Sequence, residues 1–301
     1  MLPFGDEEQH RDLEPRILAE FMALGRKLMG WTGANEFELK RGIATMCFIE
    51  WGQCTAGREN SRHLELDYDE VDLWLASLGC PPASLRAMTK TLSADEAERR
   101  FNFDSDRAQF MTARAILRDL LSRYLRCTAE EIVFAYETSG KPWLRGVKSR
   151  TSDLRFNLSH SADTALYAIS RGRELGVDVE SICPKLSWER LATSFFCRNE
   201  VAKLHQWPAH RRAFGFFTCW TRKEAYIKAR GEGLLIPLQS FEVSAAPCEQ
   251  PALLAAADPN ELKRWSFWDV PLGENLAGAL VVDGRPSRVR LLTWHWAQLC
   301  A

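Results

Sequence analysis

With 301 residues, 46% of them apolar, the chain is long enough to bury one large core or two modest ones without staples. Its 39 basic and 40 acidic side chains nearly cancel, which excludes a global field that would draw it onto nucleic acid or an anionic membrane. The nine cysteines are odd in number, with no C-x-x-C pair and no metal-type spacing to histidine, which argues against a disulfide framework and for a reducing compartment. The opening Met-Leu-Pro-Phe-Gly-Asp-Glu-Glu is not a basic and then apolar leader, and apolar runs such as Leu276–Val282 are too short to span a bilayer. The expectation is a cytoplasmic protein that touches neither membrane nor nucleic acid.

In chain order, residues 1–67 read as an N-terminal extension, with helical segments near Leu13–Lys27 and Glu36–Trp51 and a polar stretch at Gly57–His63. No chemical motif occurs there. A short strand is expected from Val71, a break at Pro81-Pro82, and a capping box at Ser93-Ala-Asp-Glu96 that opens a helix. A longer helix follows at Asp104–Tyr124, its apolar stripe formed by Phe110, Leu117, Leu121 and Tyr124. Arg107, Arg114 and Arg118 flank that stripe and read as its solvated border. They belong to a basic cluster, Arg99, Arg100, Arg107, Arg114, Arg118, Arg123 and Arg126, the natural place for local anion binding. Strands are expected at Ile132–Tyr136, Leu154–Leu158, Ala165–Ser170 and Leu175–Val179, and helix at Trp188–Leu204 and His210–Arg230, the latter stopped by Gly231. Further strands are expected at Phe241–Val243, Trp265–Val270 and Ala277–Val282. Helices and strands thus recur twice in similar order. The fold class is α+β, with a first half at 68–170, a second at 171–285 and a C-terminal tail at 286–301.

Three segments carry chemistry. In Gly176-Val-Asp-Val-Glu180, strand alternation puts Asp178 and Glu180 on one face, about 7 Å apart, where they can grip a hard cation such as Mg²⁺. The alternative is a wet acidic face. On the helix Trp220–Lys228, four-residue steps align Trp220, Glu224 and Lys228. As a surface ion pair the two charges would be ordinary, but a large apolar ring on the same stripe argues for burial. Asn157-Leu-Ser-His-Ser161 reads as the end of a strand and the start of a turn, where two hydroxyls and the His160 imidazole converge on a phosphate. Lys141 stands between Gly140 and Pro142 in a turn of its own.

Gly-Lys-Pro, Asn-x-Ser-His-Ser, Gly-x-Asp-x-Glu and Trp-x-x-Lys-Glu-Ala-x-x-Lys-x-x-Gly-x-Gly-Leu, in that order, resemble the phosphopantetheinyl transferases of the Sfp type. The likeness runs from about Val71 to Val282. It implies a pseudo-dimer of two similar α/β halves with coenzyme A in the cleft between them, acting as a monomer. It also implies transfer of 4'-phosphopantetheine from coenzyme A to a serine of an apo acyl or peptidyl carrier protein, with release of 3',5'-ADP. By motif position, Asp178, Glu180 and Glu224 resemble the Mg²⁺ ligands and Lys228 the lysine at the pyrophosphate. Ser159, His160 and Lys141 match residues that contact coenzyme A phosphates, and Glu224 is the candidate base for the attacking serine. Where family members often carry basic residues for the 3'-phosphate, this chain has Ala94-Asp95-Glu96-Ala97, so Arg99, Arg100 or Arg107 is expected to take that duty. A non-catalytic binding module would predict a missing acid, and an unrelated magnesium-dependent phosphotransferase a nucleotide loop; the sequence shows neither.

Overall fold

Gly176, Asp178 and Glu180 share one side of a strand, and the fold decides what meets that side. The computed structural model of the protein describes residues 63–79, 90–99, 103–145 and 153–296. The two helices expected before residue 52, the Pro81-Pro82 break and Arg100 lie outside the described residues. In chain order the elements are β1 (Glu70–Ser77), α1 (Ala94–Glu98), α2 (Asp104–Leu125), β2 (Phe134–Tyr136), β3 (Pro142–Leu144), β4 (Leu154–Ser161), β5 (Thr164–Arg171), β6 (Leu175–Ser181), α3 (Trp188–Phe195), α4 (Arg198–Leu204), α5 (Arg212–Arg230), β7 (Glu242–Val243), β8 (Leu253–Ala255), α6 (Glu261–Arg264), β9 (Trp265–Asp269), β10 (Leu276–Asp283) and β11 (Arg288–Trp294). The class is α+β, as the sequence predicts.

Four strands in the order β11-β1-β5-β4 make one sheet, and β6-β10-β9 make a second. Alternation on β1 explains the layering. Trp74 and Ala76 join a core with Ile116, Leu117, Leu120, Leu121 and Tyr124 of α2, while Val71 and Leu73 join Val177 and Val179 of β6 and Leu280 and Val282 of β10 in another. The first sheet is therefore covered by α2 on one face and by the second sheet on the other. Each fully buried Leu or Ile in these layers contributes roughly 1.5–3 kcal/mol of transfer free energy. Within the segment 286–301, Arg288–Trp294 form β11, parallel to β1, so residues read as a tail complete the first sheet. Leu64 and Leu66, at the end of the extension, are buried in the α2 core.

The structure corrects three local expectations. Arg114 and Arg118 are not a solvated border: both are buried, with Arg118 2.8 Å and Arg114 3.3 Å from the carboxylate of Glu96. Glu96 also accepts the Ser93 N–H at 3.0 Å, so one side chain closes the expected capping box and pairs with both arginines. Arg118 further donates to the carbonyls of Ala129 and Ile132, and desolvation holds the Arg114 pKa below its ordinary value. Second, the expected helix at 188–204 is two helices, because Phe196 is extended and Cys197 caps α4, its N–H donating to Glu200. Third, β4 does not end at Leu158. It runs to Ser161, and the hairpin turn is Ala162-Asp163, with Ala162 at φ 49°.

Candidate active site between β4, β6 and α5

Helix α5 reaches the acidic strand through a glycine. A Cβ on Gly176 would lie 2.1 Å from the Ala225 carbonyl oxygen and 2.4 Å from the Ala229 nitrogen, so β6 and α5 meet backbone to backbone. Gly231, at φ 76°, stops the helix as expected, its N–H returning to the Ile227 carbonyl at 3.1 Å. The hidden flank of α5 is held by Trp220, buried among Phe195, Phe196 and Phe216. One position from Glu224, Lys223 is fully buried 2.7 Å from Glu200 and donates to the carbonyls of Leu238 and Phe241. These contacts set the helix rotation that presents Glu224 and Lys228 to β6.

The alternation on β6 is as expected, but the acidic face is not a wet one: Asp178 is buried and Glu180 half-buried. Asp178 is 3% exposed. Its Oδ1 accepts from Lys228 Nζ at 2.6 Å and from Ser159 Oγ at 2.8 Å, and Lys228 also donates to Ser159 Oγ at 3.1 Å. Asp178 Oδ2 is buried with no hydrogen-bond partner. Glu180 accepts from Ser161 Oγ at 2.9 Å. Desolvation first, and then the charge of Asp178, push the Glu180 carboxyl up to about 8 and that of Glu224 up to about 7. Burial pulls Lys228 down, yet Asp178 and then Glu224 outweigh it and hold the ammonium above its ordinary value. Lys228 thus neutralises part of an acid cluster whose members repel one another.

The other predicted residues do not all join this centre. His160 lies within the field of Lys228, Asp106 and Asp178, and its pKa is lowered first by desolvation and then by the Lys228 ammonium. Lys141 pairs with Glu174 at 3.2 Å and donates to the Leu175 and Ala229 carbonyls, which places it three residues, about 10 Å, along β6 from Asp178. Arg99 stands over the Phe110 ring at 4.7 Å, and Arg107 donates to the Ala97 carbonyl at 3.3 Å; both are exposed beside the α1–α2 junction. The two hydroxyls expected to converge on a phosphate from a turn point instead from a strand onto the carboxylates of Asp178 and Glu180.

Two family models match the chain, one described as the 4'-phosphopantetheinyl transferase superfamily over residues 174–281 and one as the 4'-phosphopantetheinyl transferase N-terminal region over residues 81–171. The 4'-phosphopantetheinyl transferase HetI of a Nostoc species is 37% identical over 78% of this chain and 95% of its own. The chain belongs to the 4'-phosphopantetheinyl transferase superfamily. Psf-1 of Bacillus pumilus is 34% identical over 48% of this transferase and 59% of its own length, and Sfp of Bacillus subtilis 30% identical over 48% and 62%. No helix among the described residues of the transferase is long and apolar enough to cross a membrane.

Among the described residues, no three His, Cys, Asp or Glu side chains stand gathered as a ready metal cage. The donor set nevertheless suits a hard divalent cation, because the charge of Asp178 is felt by both Glu180 and Glu224 and a buried Asp178 oxygen lacks a partner. Their crowding has a measurable consequence. With chelator present, Glu180→Gln is expected to be more stable than wild type at pH 8 by about 1 kcal/mol or more, the difference closing toward pH 5. A raised carboxyl pKa means that the folded state retains a proton that the unfolded state has released. Stability present below the unfolded value of 4.5 is therefore lost as pH rises through about 8. Urea unfolding of both proteins from pH 5 to 8.5 measures this, and identical pH dependences would show that Glu180 is not crowded.

Sequence reasoning aimed Ser161 at a phosphate rather than at Glu180, and gave Asn157 and Gly176 no role of their own in this site. The signal was available for the first two: Asn157, Ser159 and Ser161 alternate in step with the polar side chains of β6, a strand pattern mistaken for turn composition.

Proposed function

We propose that the protein transfers the 4'-phosphopantetheine group of coenzyme A to a serine of an apo acyl or peptidyl carrier protein and releases 3',5'-ADP. The observation that carries this reading is the half-buried acid cluster of Asp178, Glu180 and Glu224 with Lys228 at 2.6 Å from Asp178, set within a chain of this family. The three carboxylates would hold Mg²⁺, which supplies charge neutralisation at the diphosphate. Lys228 adds a second positive charge there. His160 and Lys141, with help from Arg99, Arg100 or Arg107, bind the coenzyme A phosphates and orient the β-phosphorus for attack. The serine Oγ forms a bond to that phosphorus as the bond to the departing 3',5'-ADP oxygen breaks, and the serine proton passes to Glu224. Such transfer needs little covalent chemistry from the protein, because positioning and charge stabilisation supply most of the rate.

Incubation with coenzyme A, Mg²⁺ and a panel of apo carrier proteins, read by intact mass, is expected to add one phosphopantetheine to at least one acyl or peptidyl carrier. The added mass should vanish when the carrier serine is replaced by alanine. A panel left unmodified at Mg²⁺ concentrations up to about 10 mM would sink the reading.

A further inference from the structure

The seam between the two sheets is stitched by side chains. β4 and β6 belong to different sheets, and three polar residues at period two on β4 cross to β6. Asn157 Oδ1 accepts the Val177 N–H at 2.9 Å, and Ser159 Oγ donates to Asp178. Ser161 Oγ accepts the Ser181 N–H at 3.0 Å and donates to Glu180 Oε2 at 2.9 Å. Each rung ends on the stretch that carries the acids.

The rungs are not equivalent. Ser159 shares its hydroxyl between Asp178 and Lys228, so its bond belongs to a charge balance that an incoming cation or phosphate must rearrange. Ser161 is tied at one end to backbone, which cannot rearrange, and it has one proton to give. A hydroxyl whose lone pair is fixed by the Ser181 N–H directs that proton along a single line, and Glu180 lies on it. Ser161 is also buried, so no water takes its place if the hydroxyl is removed. Partners of this kind orient the groups that bind a metal and raise its affinity.

We propose that Ser161 is a positioning residue for cation binding: its hydroxyl, locked by the Ser181 N–H, holds the Glu180 carboxylate in the direction from which it ligates a divalent ion. This rests on the assignment of Asp178, Glu180 and Glu224 as the cation ligands. It also explains why the segment before the Ala162-Asp163 turn is polar although it is a strand.

The test titrates Mn²⁺ alone into the full chain without coenzyme A, read by electron paramagnetic resonance and calorimetry, for wild type, Ser161→Ala, Ser161→Thr and Asp178→Asn. Ser161→Ala is expected to bind Mn²⁺ at least about tenfold more weakly and to need correspondingly more Mg²⁺ for half-maximal turnover. Ser161→Thr, which keeps the hydroxyl, is expected to stay within about threefold of wild type. Thermal unfolding accompanies each titration, and if the alanine variant does not fold, Ser161→Cys, which keeps the size of the side chain but is a weak hydrogen-bond donor, takes its place with the same expected loss and the same overturning result. Ser161→Ala binding Mn²⁺ like wild type, or Ser161→Thr binding as weakly as Ser161→Ala, overturns the proposal. If instead Asp178→Asn binds Mn²⁺ like wild type, the acid cluster is not the cation site, and the ligand assignment falls before the question of Ser161 arises.

Discussion

Asp178→Asn is expected to lower carrier-protein modification by about a thousandfold at saturating Mg²⁺, equivalent to ~4 kcal/mol of activation free energy. The substitution keeps the shape of the side chain and removes its charge. Asp178 is the member of the cluster that both other acids feel, since its charge raises Glu180 and Glu224, and it is the one that Lys228 grips. Replacing it with a neutral amide should therefore lower the carboxyl pKa values of its neighbours. The same variant loses its repulsion toward Glu180 and Glu224 and its attraction to Lys228 together, so its stability in chelator is expected to stay near that of wild type. Lost activity with retained stability separates a catalytic loss from a folding loss, and steady-state kinetics beside urea unfolding read both. Near wild-type turnover would remove Asp178 from the mechanism.

That contrast rests on how the cluster is balanced. In the arrangement described, Lys228 occupies the position of a counter-ion, its ammonium shared among Asp178, Ser159 and the Val177 carbonyl. A buried acid paired by a protein cation costs less than one left alone, but the pairing leaves the second Asp178 oxygen unpartnered. A diphosphate drawn toward Lys228 would loosen its hold on Asp178 and free the first oxygen as well. The lysine thus links the two halves of the proposed chemistry, holding the acids together when the site is empty and meeting the phosphate when it is full.

The grouping of the candidate site residues could be read from the sequence because they lie on strict local periods. Asp178 and Glu180 alternate on a strand, Glu224 and Lys228 step by four on a helix, and each pair remains together in three dimensions. What could not be read was depth. Arg114 and Arg118 sit at helical spacing beside an apolar stripe, and spacing alone cannot say whether water or Glu96 meets them; the carboxylate comes from another helix, 18 and 22 residues back in the chain. The end of β4 was misjudged for a related reason. Polar residues at the end of a strand normally signal solvent or a turn, whereas here their partners are side chains and backbone of a second sheet. Arg288-Val-Arg-Leu-Leu-Thr-Trp294 does alternate, but its pairing with β1, more than two hundred residues earlier, is a property of topology that no window of the sequence contains.

Gly176→Ala is expected to lower the unfolding free energy by about 3 kcal/mol or more, and to reduce turnover even at temperatures where the variant remains folded. The added methyl would meet the Ala225 carbonyl oxygen, the Ala229 nitrogen and the Lys228 carbonyl carbon, all backbone atoms that no rotamer change can move aside. Helix α5 must therefore retreat from β6 as a body. Because Glu224 and Lys228 ride on that helix, the retreat draws both away from Asp178, and a displacement of 1 Å in a site of this kind can cost about a hundredfold. Gly278→Ala on β10 provides the comparison, since its nearest contacts, Leu272 Cδ1 at 2.8 Å and Val270 Cβ at 3.2 Å, belong to side chains. The Gly278 variant is expected to lose about 1–2 kcal/mol of stability while keeping most of its activity, as overpacking of adjustable neighbours does. Denaturant unfolding and steady-state kinetics on both variants measure the difference. If the two glycines prove equally tolerant, the close approach of α5 to β6 is not what sets the geometry of the acid cluster.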